Sequence, residues 1–266
     1  MSVIENFFAL IGKPFMHIYD LMNGFGRFIQ FQLSLIPLFF KRPYRVREFF
    51  QQMDIIGIGT LGVILLTALF PGMVEAIQLY HGFHRFGAEN FMGYTIFVSI
   101  SRELGPVFAA LMLTSRAISA MAAELGTMRV TEQIDAIETL AVDSKKYLVI
   151  PRILATTVSL PLLVITFDFV SNASAYIIAT QALGVNPVAY KNTIQQYLEF
   201  ADIGTGVIKA TVFGFLVSSI GTYLGYIAKG GARGVGIATT SAVVYSAVTI
   251  FAANYLLSSL FLLLDW

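Results

Sequence analysis

Five stretches of this sequence, about residues 55–79, 91–124, 147–180, 203–228 and 237–264, are each apolar over roughly the ~20 residues that cross a ~30 Å hydrocarbon layer. Inside lipid every backbone polar group has to be satisfied internally, which a helix does within its own segment. The expected fold is therefore an all-α polytopic membrane protein with five transmembrane helices. Composition agrees: 56% of the 266 residues are hydrophobic and 12% are charged, against about 25% charged in an ordinary soluble domain. The net charge of +1 gives no bulk electrostatic case for nucleic acid, and the absence of cysteine excludes a disulfide framework, Cys-ligated metal and thiol catalysis. A cleavable signal is not expected, because no basic start precedes a short apolar core and a small-residue cleavage site.

Residues 1–48 read differently from the rest. Lys13, His17, Asp20, Arg27, Gln30 and Ser34 recur close to three-or-four-residue steps. Phe7, Leu10, Phe15, Ile18, Met22, Phe25 and Ile29 form the opposite face. That is the pattern of an amphipathic helix lying in the membrane interface. A basic elbow follows, with Lys41, Arg42, Arg45 and Arg47 around Pro43; such a cluster marks the cytoplasmic side. Residues 49–266 then make up the five-span domain.

The second span carries the most chemistry. Arg102 and Glu103 sit within it, Gly105-Pro106 follows, and Arg116 lies further on. Proline removes a backbone donor and crowds the preceding turn, so a kink is expected at Gly105-Pro106. Charges at this depth are costly and point to function by default. Neighbours on a helix point about 100° apart, so Arg102 and Glu103 cannot simply neutralise each other, and at least one faces a cavity or another helix. Past the span, residues 128–141 return to helical spacing: Val130, Ile134, Ile137 and Leu140 or Ala141 on one face, Glu132, Asp135 and Glu138 on others, with Arg129 at the start. An amphipathic helix of about a dozen residues, held between two spans and unable to bury its own apolar stripe, suits a cytoplasmic coupling helix that docks on a partner.

Asp168 in the third span and Lys209 in the fourth are further intramembrane polar candidates. Gly221 and Gly225 form a GxxxG packing step in the fourth span. Counting Lys and Arg near the span ends places the N-terminus in the cytoplasm and Trp266 outside. Several formal motif matches carry nothing. Gly57-Ile58-Gly59-Thr60-Leu61-Gly62 fits a dinucleotide-binding pattern without the strand-helix-strand context that gives it meaning, and Asn172-Ala173-Ser174 is a glycosylation acceptor inside a span. The turn Lys229–Gly236 lacks the Gly-Lys-Ser/Thr ending of a P-loop, so it is no ATP site. His81 and His84 lack further ligands nearby, and no metal site is expected.

The run SRELGPVFAALMLTSRAISAMAAELGTMRVTEQIDAIETLAVDSKKYLVIPRILA, with the later loop GGARGVGIATTSAVV, strongly resembles the permease subunits of Mla (maintenance of lipid asymmetry) ABC transporters, the MlaE/YrbE family. The likeness covers nearly the whole chain. Where members often carry an acid in the Gly-rich loop, this chain has Arg233. The resemblance implies a multi-pass inner-membrane subunit of Gram-negative bacteria that moves phospholipid. It further implies a homodimer, a separate ABC ATPase that binds the ATP and Mg, a small STAS-domain protein and a periplasmic MCE-domain hexamer. On this reading Arg102, ordered by Glu103, meets the headgroup or couples the helices, and residues 128–141 transmit ATPase closure. Two rivals remain at the level of sequence. One is an ion-coupled secondary transporter relaying through Glu103, Asp168 and Lys209; the other is a non-transporting anchor for a periplasmic complex.

Overall fold

The computed structural model describes residues 2–264, and of residues 2–18, 20 and 21 only the backbone. The expected stripe positions Lys13, His17 and Asp20, and the expected outside location of Trp266, lie outside what is described. Among the described residues the regular structure is helical throughout. Helix α1 spans Ser2–Phe40 and forms a unit of its own. Met22, Phe25, Ile29, Leu33, Ile36 and Phe40 are exposed along it at three-and-four-residue steps, a continuous apolar stripe.

The second unit begins at Arg45. It contains α2 (Val46–His84), α3 (Glu89–Val130), α4 (Gln133–Thr139), α5 (Lys145–Ala182), α6 (Pro187–Tyr197), α7 (Phe200–Tyr226) and α8 (Gly231–Leu263). Helices α2, α3, α5, α7 and α8 are long and apolar enough to cross a membrane. In its most apolar stretch α5 is 67% buried, against 22% for α2 and 17% for α8. So α5 is the centre of the bundle. Helices α2 and α7 pack on α5, and α8 packs on α7 and the end of α3. One apolar core joins Phe167, Phe213, Leu113, Ile118 and Leu125; a second, smaller one joins Met92, Ile96, Ala175 and Tyr190.

Helix α3 is continuous over 42 residues, about 63 Å at 1.5 Å per residue, which is longer than a bilayer core. The disturbance expected at Gly105-Pro106 takes the form of a π-helical turn, Ile100–Leu104, immediately before that step. The N–H of Gly105 reaches back to Ile100 O, and Pro106 has none to give. The Gly-rich stretch 57–62 is likewise helical: the π-helical turn Asp54–Ile58 runs straight into the rest of α2. Gly221 and Gly225 pack as the spacing predicts. A Cβ at Gly221 would lie 2.4 Å from Ile118 Cγ2, and one at Gly225 would lie 2.8 Å from Ala122 O.

Three expectations need correction. Residues 128–141 are not one helix. Helix α3 ends at Val130, Glu132 takes a left-handed φ of 61°, and α4 is seven residues long before Ala141 turns the chain again at φ 57°. Two such residues reverse the chain at each end of a short foot, where helical spacing alone suggested continuity. Ile134 is also not free for a partner, because it is fully buried in the main core, and Ile137 packs against that core. Finally, the loop expected over 229–236 closes sooner. Gly230 and Gly231, at φ 89° and 65°, complete the reversal, and α8 starts at Gly231.

Candidate functional site

Arg102 and Glu103 each find a partner on α7. Asp202 and Lys209 are seven residues apart, two helical turns, and so present side chains on the same face of that helix. Arg102 Nε donates to Asp202 Oδ1 at 2.6 Å. Asp202 Oδ2 meanwhile accepts from the backbone N–H of Glu199 at 2.9 Å, closing a capping box that starts α7. The guanidinium is therefore held by a residue whose own position is fixed by the helix terminus.

Glu103 meets both α7 and α8. Lys209 Nζ donates to Glu103 Oε1 at 2.7 Å, to Arg102 O at 2.9 Å and to Ser258 Oγ at 2.7 Å. Ser258 donates in turn to Glu103 Oε1, and Asn254 Nδ2 donates to Glu103 Oε2, each at 2.9 Å. The contact with Arg102 O has a covalent cause. That carbonyl would ordinarily accept from the N–H four residues on, and the residue there is Pro106. Proline thus frees an acceptor that Lys209 occupies, so the Gly105-Pro106 step and the charge cluster are one construction.

The cluster is lopsided. Asp202 and Lys209 have side chains 1% exposed, whereas Arg102 is 31% and Glu103 44% exposed. The buried members belong to α7 and the accessible ones to α3. Packing there is close: a Cβ at Gly206, between Asp202 and Lys209, would fall 2.1 Å from Ser101 O.

The remaining candidates lie apart from this cluster or beside it. Asp168 sits on α5 against Gly105, where a Cβ would collide with its Oδ1, and that oxygen is buried without a hydrogen-bond partner. Arg116 donates to Ile55 O at 3.2 Å and Thr60 Oγ1 at 3.1 Å, clamping α3 to the π-helical turn of α2. That is a packing role. Arg116→Met should lower the thermal unfolding midpoint in detergent, by an amount corresponding to about 1–3 kcal/mol for two charge-assisted hydrogen bonds. An unchanged midpoint would show that the clamp carries no stability.

At the foot, Arg129 Nη1 binds Asp135 Oδ1 at 2.6 Å, and Glu132, Asp135 and Glu138 are exposed. Glu138 Oε1 accepts from Ser144 Oγ at 2.6 Å and Tyr226 OH at 3.0 Å. These two hydroxyls, Ser144 first, hold the Glu138 carboxyl below the usual carboxylate range. Sequence reasoning missed Asp202, Asn254, Ser258, Ser144 and Tyr226. Only Asp202 left a signal, its seven-residue spacing from Lys209.

The sequence matches the profile of the family described as Permease MlaE over residues 49–260, and those residues contain the whole charge cluster and the foot. The chain belongs to this permease family. It is a multi-pass membrane permease subunit. A probable ABC transporter permease protein of Rickettsia prowazekii is 43% identical over 252 residues, 95% of this chain and 96% of that one. The intermembrane phospholipid transport system permease protein MlaE of Haemophilus influenzae is 32% identical over 263 residues, 97% and 98% of the two chains. The chloroplastic protein TRIGALACTOSYLDIACYLGLYCEROL 1 of Arabidopsis thaliana is 40% identical over 215 residues, 81% of this chain and 61% of that one.

Proposed function

We propose that this permease is the membrane subunit of an ABC transporter moving phospholipid between the bacterial inner membrane and a periplasmic MCE-domain hexamer, so maintaining outer-membrane lipid asymmetry. The observation that carries the reading is the lopsided charge cluster. Arg102 and Glu103 are partly accessible in a helix long and apolar enough to span a membrane, where charge facing hydrocarbon is costly, so their open side suits a polar cavity. A second copy of the chain, related by a two-fold axis, supplies the missing wall. Arg102 uses Nε on Asp202 and has two further guanidinium nitrogens with which to meet a headgroup phosphate. The name of the Haemophilus relative supports phospholipid as the cargo.

Energy comes from a separate ABC ATPase, which binds ATP and Mg and docks on the foot. A small STAS-domain protein completes the cytoplasmic side. The exposed stripe of α1 suits a helix lying in the interface, and the basic residues at 41–47 favour a cytoplasmic N-terminus and a periplasmic C-terminus. The test is reconstitution of the complex in liposomes with a labelled phospholipid. Transfer should require ATP and stop when it is withdrawn; transfer that follows an ion gradient without ATP would overturn the reading.

A further inference from the structure

The foot touches more than the span it follows. Helix α4 is tied to the end of α3 by Asp135 and Arg129, and to two other spans by Glu138. Ser144 precedes α5, and Tyr226 is the last residue of α7. Their hydroxyls lie 2.7 Å apart and both meet Glu138 Oε1, so the three side chains form a closed triangle. The Arg129 guanidinium lies 5.8 Å from the centre of the Tyr226 ring and joins α3 to the same point.

Helix α7 runs from this triangle to the charge cluster without interruption. Asp202 and Tyr226 are 24 residues apart on it, about 36 Å at 1.5 Å per residue. Along that length α7 bears on α3 at three levels: Gly206 against Ser101 O, Gly221 against Ile118 and Gly225 against Ala122 O. A Cβ at any of them would come within 3.0 Å of its neighbour, which is a backbone carbonyl of α3 at Gly206 and Gly225 and the Ile118 side chain at Gly221. Helices α3 and α7 are therefore joined at both ends, by charge at one and at the other by Arg129, which lies over the Tyr226 ring and binds the foot that Tyr226 also holds, and they are in close packing between.

We infer that α7 is a second strut, carrying displacement of the foot through Tyr226 to Asp202 and Lys209, and that Tyr226 and Ser144 are positioning residues for coupling. This rests on the reading that the foot docks an ATPase. The consequence is mechanical. A push delivered along α3 alone would shear Arg102 and Glu103 against their partners on a stationary α7. With both helices driven from the foot, the cluster moves as a unit and its accessible side is re-presented to the cavity.

The chain has no cysteine, so one introduced thiol can report on the cluster. Ile203 is exposed and adjacent to Asp202. In the complete complex carrying Ile203→Cys, ATP should change the rate of maleimide labelling. Adding Tyr226→Phe, which keeps the ring and loses the hydroxyl, should shrink that change, and the phospholipid moved per ATP, by about 3- to 10-fold. The ATPase should stay attached. Ser144→Ala should act in the same direction, and the pair should lose less than the product of the single effects, because both open one triangle. An undiminished ATP response in Tyr226→Phe, with the ATPase still bound, would overturn the strut and leave the docking reading standing. A complex whose ATPase binds equally well when the exposed foot residues Glu132, Asp135 and Leu140 are all changed to Ser would overturn both.

Discussion

Glu103→Lys is expected to abolish phospholipid transfer while leaving the chain inserted in the membrane. Lys209 Nζ lies 2.7 Å from the carboxylate it would lose, and at 1% exposure it has no solvent to turn to. The substitution places two ammonium groups where a bridge stood, and it removes the acceptor for Asn254 and Ser258 as well. Breaking one side of a fully buried pair costs about 3–5 kcal/mol. Glu103 is 44% exposed, so about 1–3 kcal/mol is the fitting scale here, or roughly 5- to 150-fold in the population of the working state. Insertion survives because Arg102–Asp202 and the α3–α7 packing do not involve Glu103. The exchange Glu103→Lys with Lys209→Glu should restore part of the transfer by restoring opposite charges. Wild-type outer-membrane integrity in Glu103→Lys cells would remove Glu103 from the mechanism.

That prediction could be half written from the sequence. Arg102 and Glu103 announce themselves as charges in an apolar run, and helix geometry alone requires them to face different partners. The identity of those partners is another matter. Lys209 stands out as a lone cation in the fourth span, but Asp202 lies at a helix start, where an acid is ordinary. Asn254 and Ser258 are small polar residues in a span, of a kind that elsewhere in this chain merely bond back to their own helix, as Thr156 and Ser218 do. What selects them is the distance between α3, α7 and α8, which arises from packing that no local pattern records. The role of Pro106 was hidden for the same reason. A proline predicts a disturbed helix, but only the fold shows that the carbonyl it releases is taken by Lys209. The five long helices, by contrast, were legible, because their requirement is local: each has to be apolar over a membrane's thickness.

The foot is where sequence periodicity misleads most, and two substitutions separate its roles. Ile134 and Leu140 both read as members of one apolar stripe. Leu140 is 76% exposed, however, while Ile134 is fully enclosed in the core that contains Leu125 and Leu148. Ile134→Asp would bury a carboxylate with no counter-charge, and it should cost more than about 4 kcal/mol, enough to empty the folded population of a marginally stable protein. The expected result is loss of monodisperse chain from detergent extracts, with any loss of ATPase secondary to that. Leu140→Asp removes nothing from the core and should change stability by about 0.5 kcal/mol or less. If Leu140 is the apolar anchor that the ATPase covers, its replacement should weaken the attachment by about 2 kcal/mol, near 30-fold, in a chain that is otherwise normal. Co-purification of the ATPase at wild-type level with Leu140→Asp would mean that the partner bears on the acidic rim of Glu132 and Asp135 instead. Charge reversal there would then become the substitution that releases it.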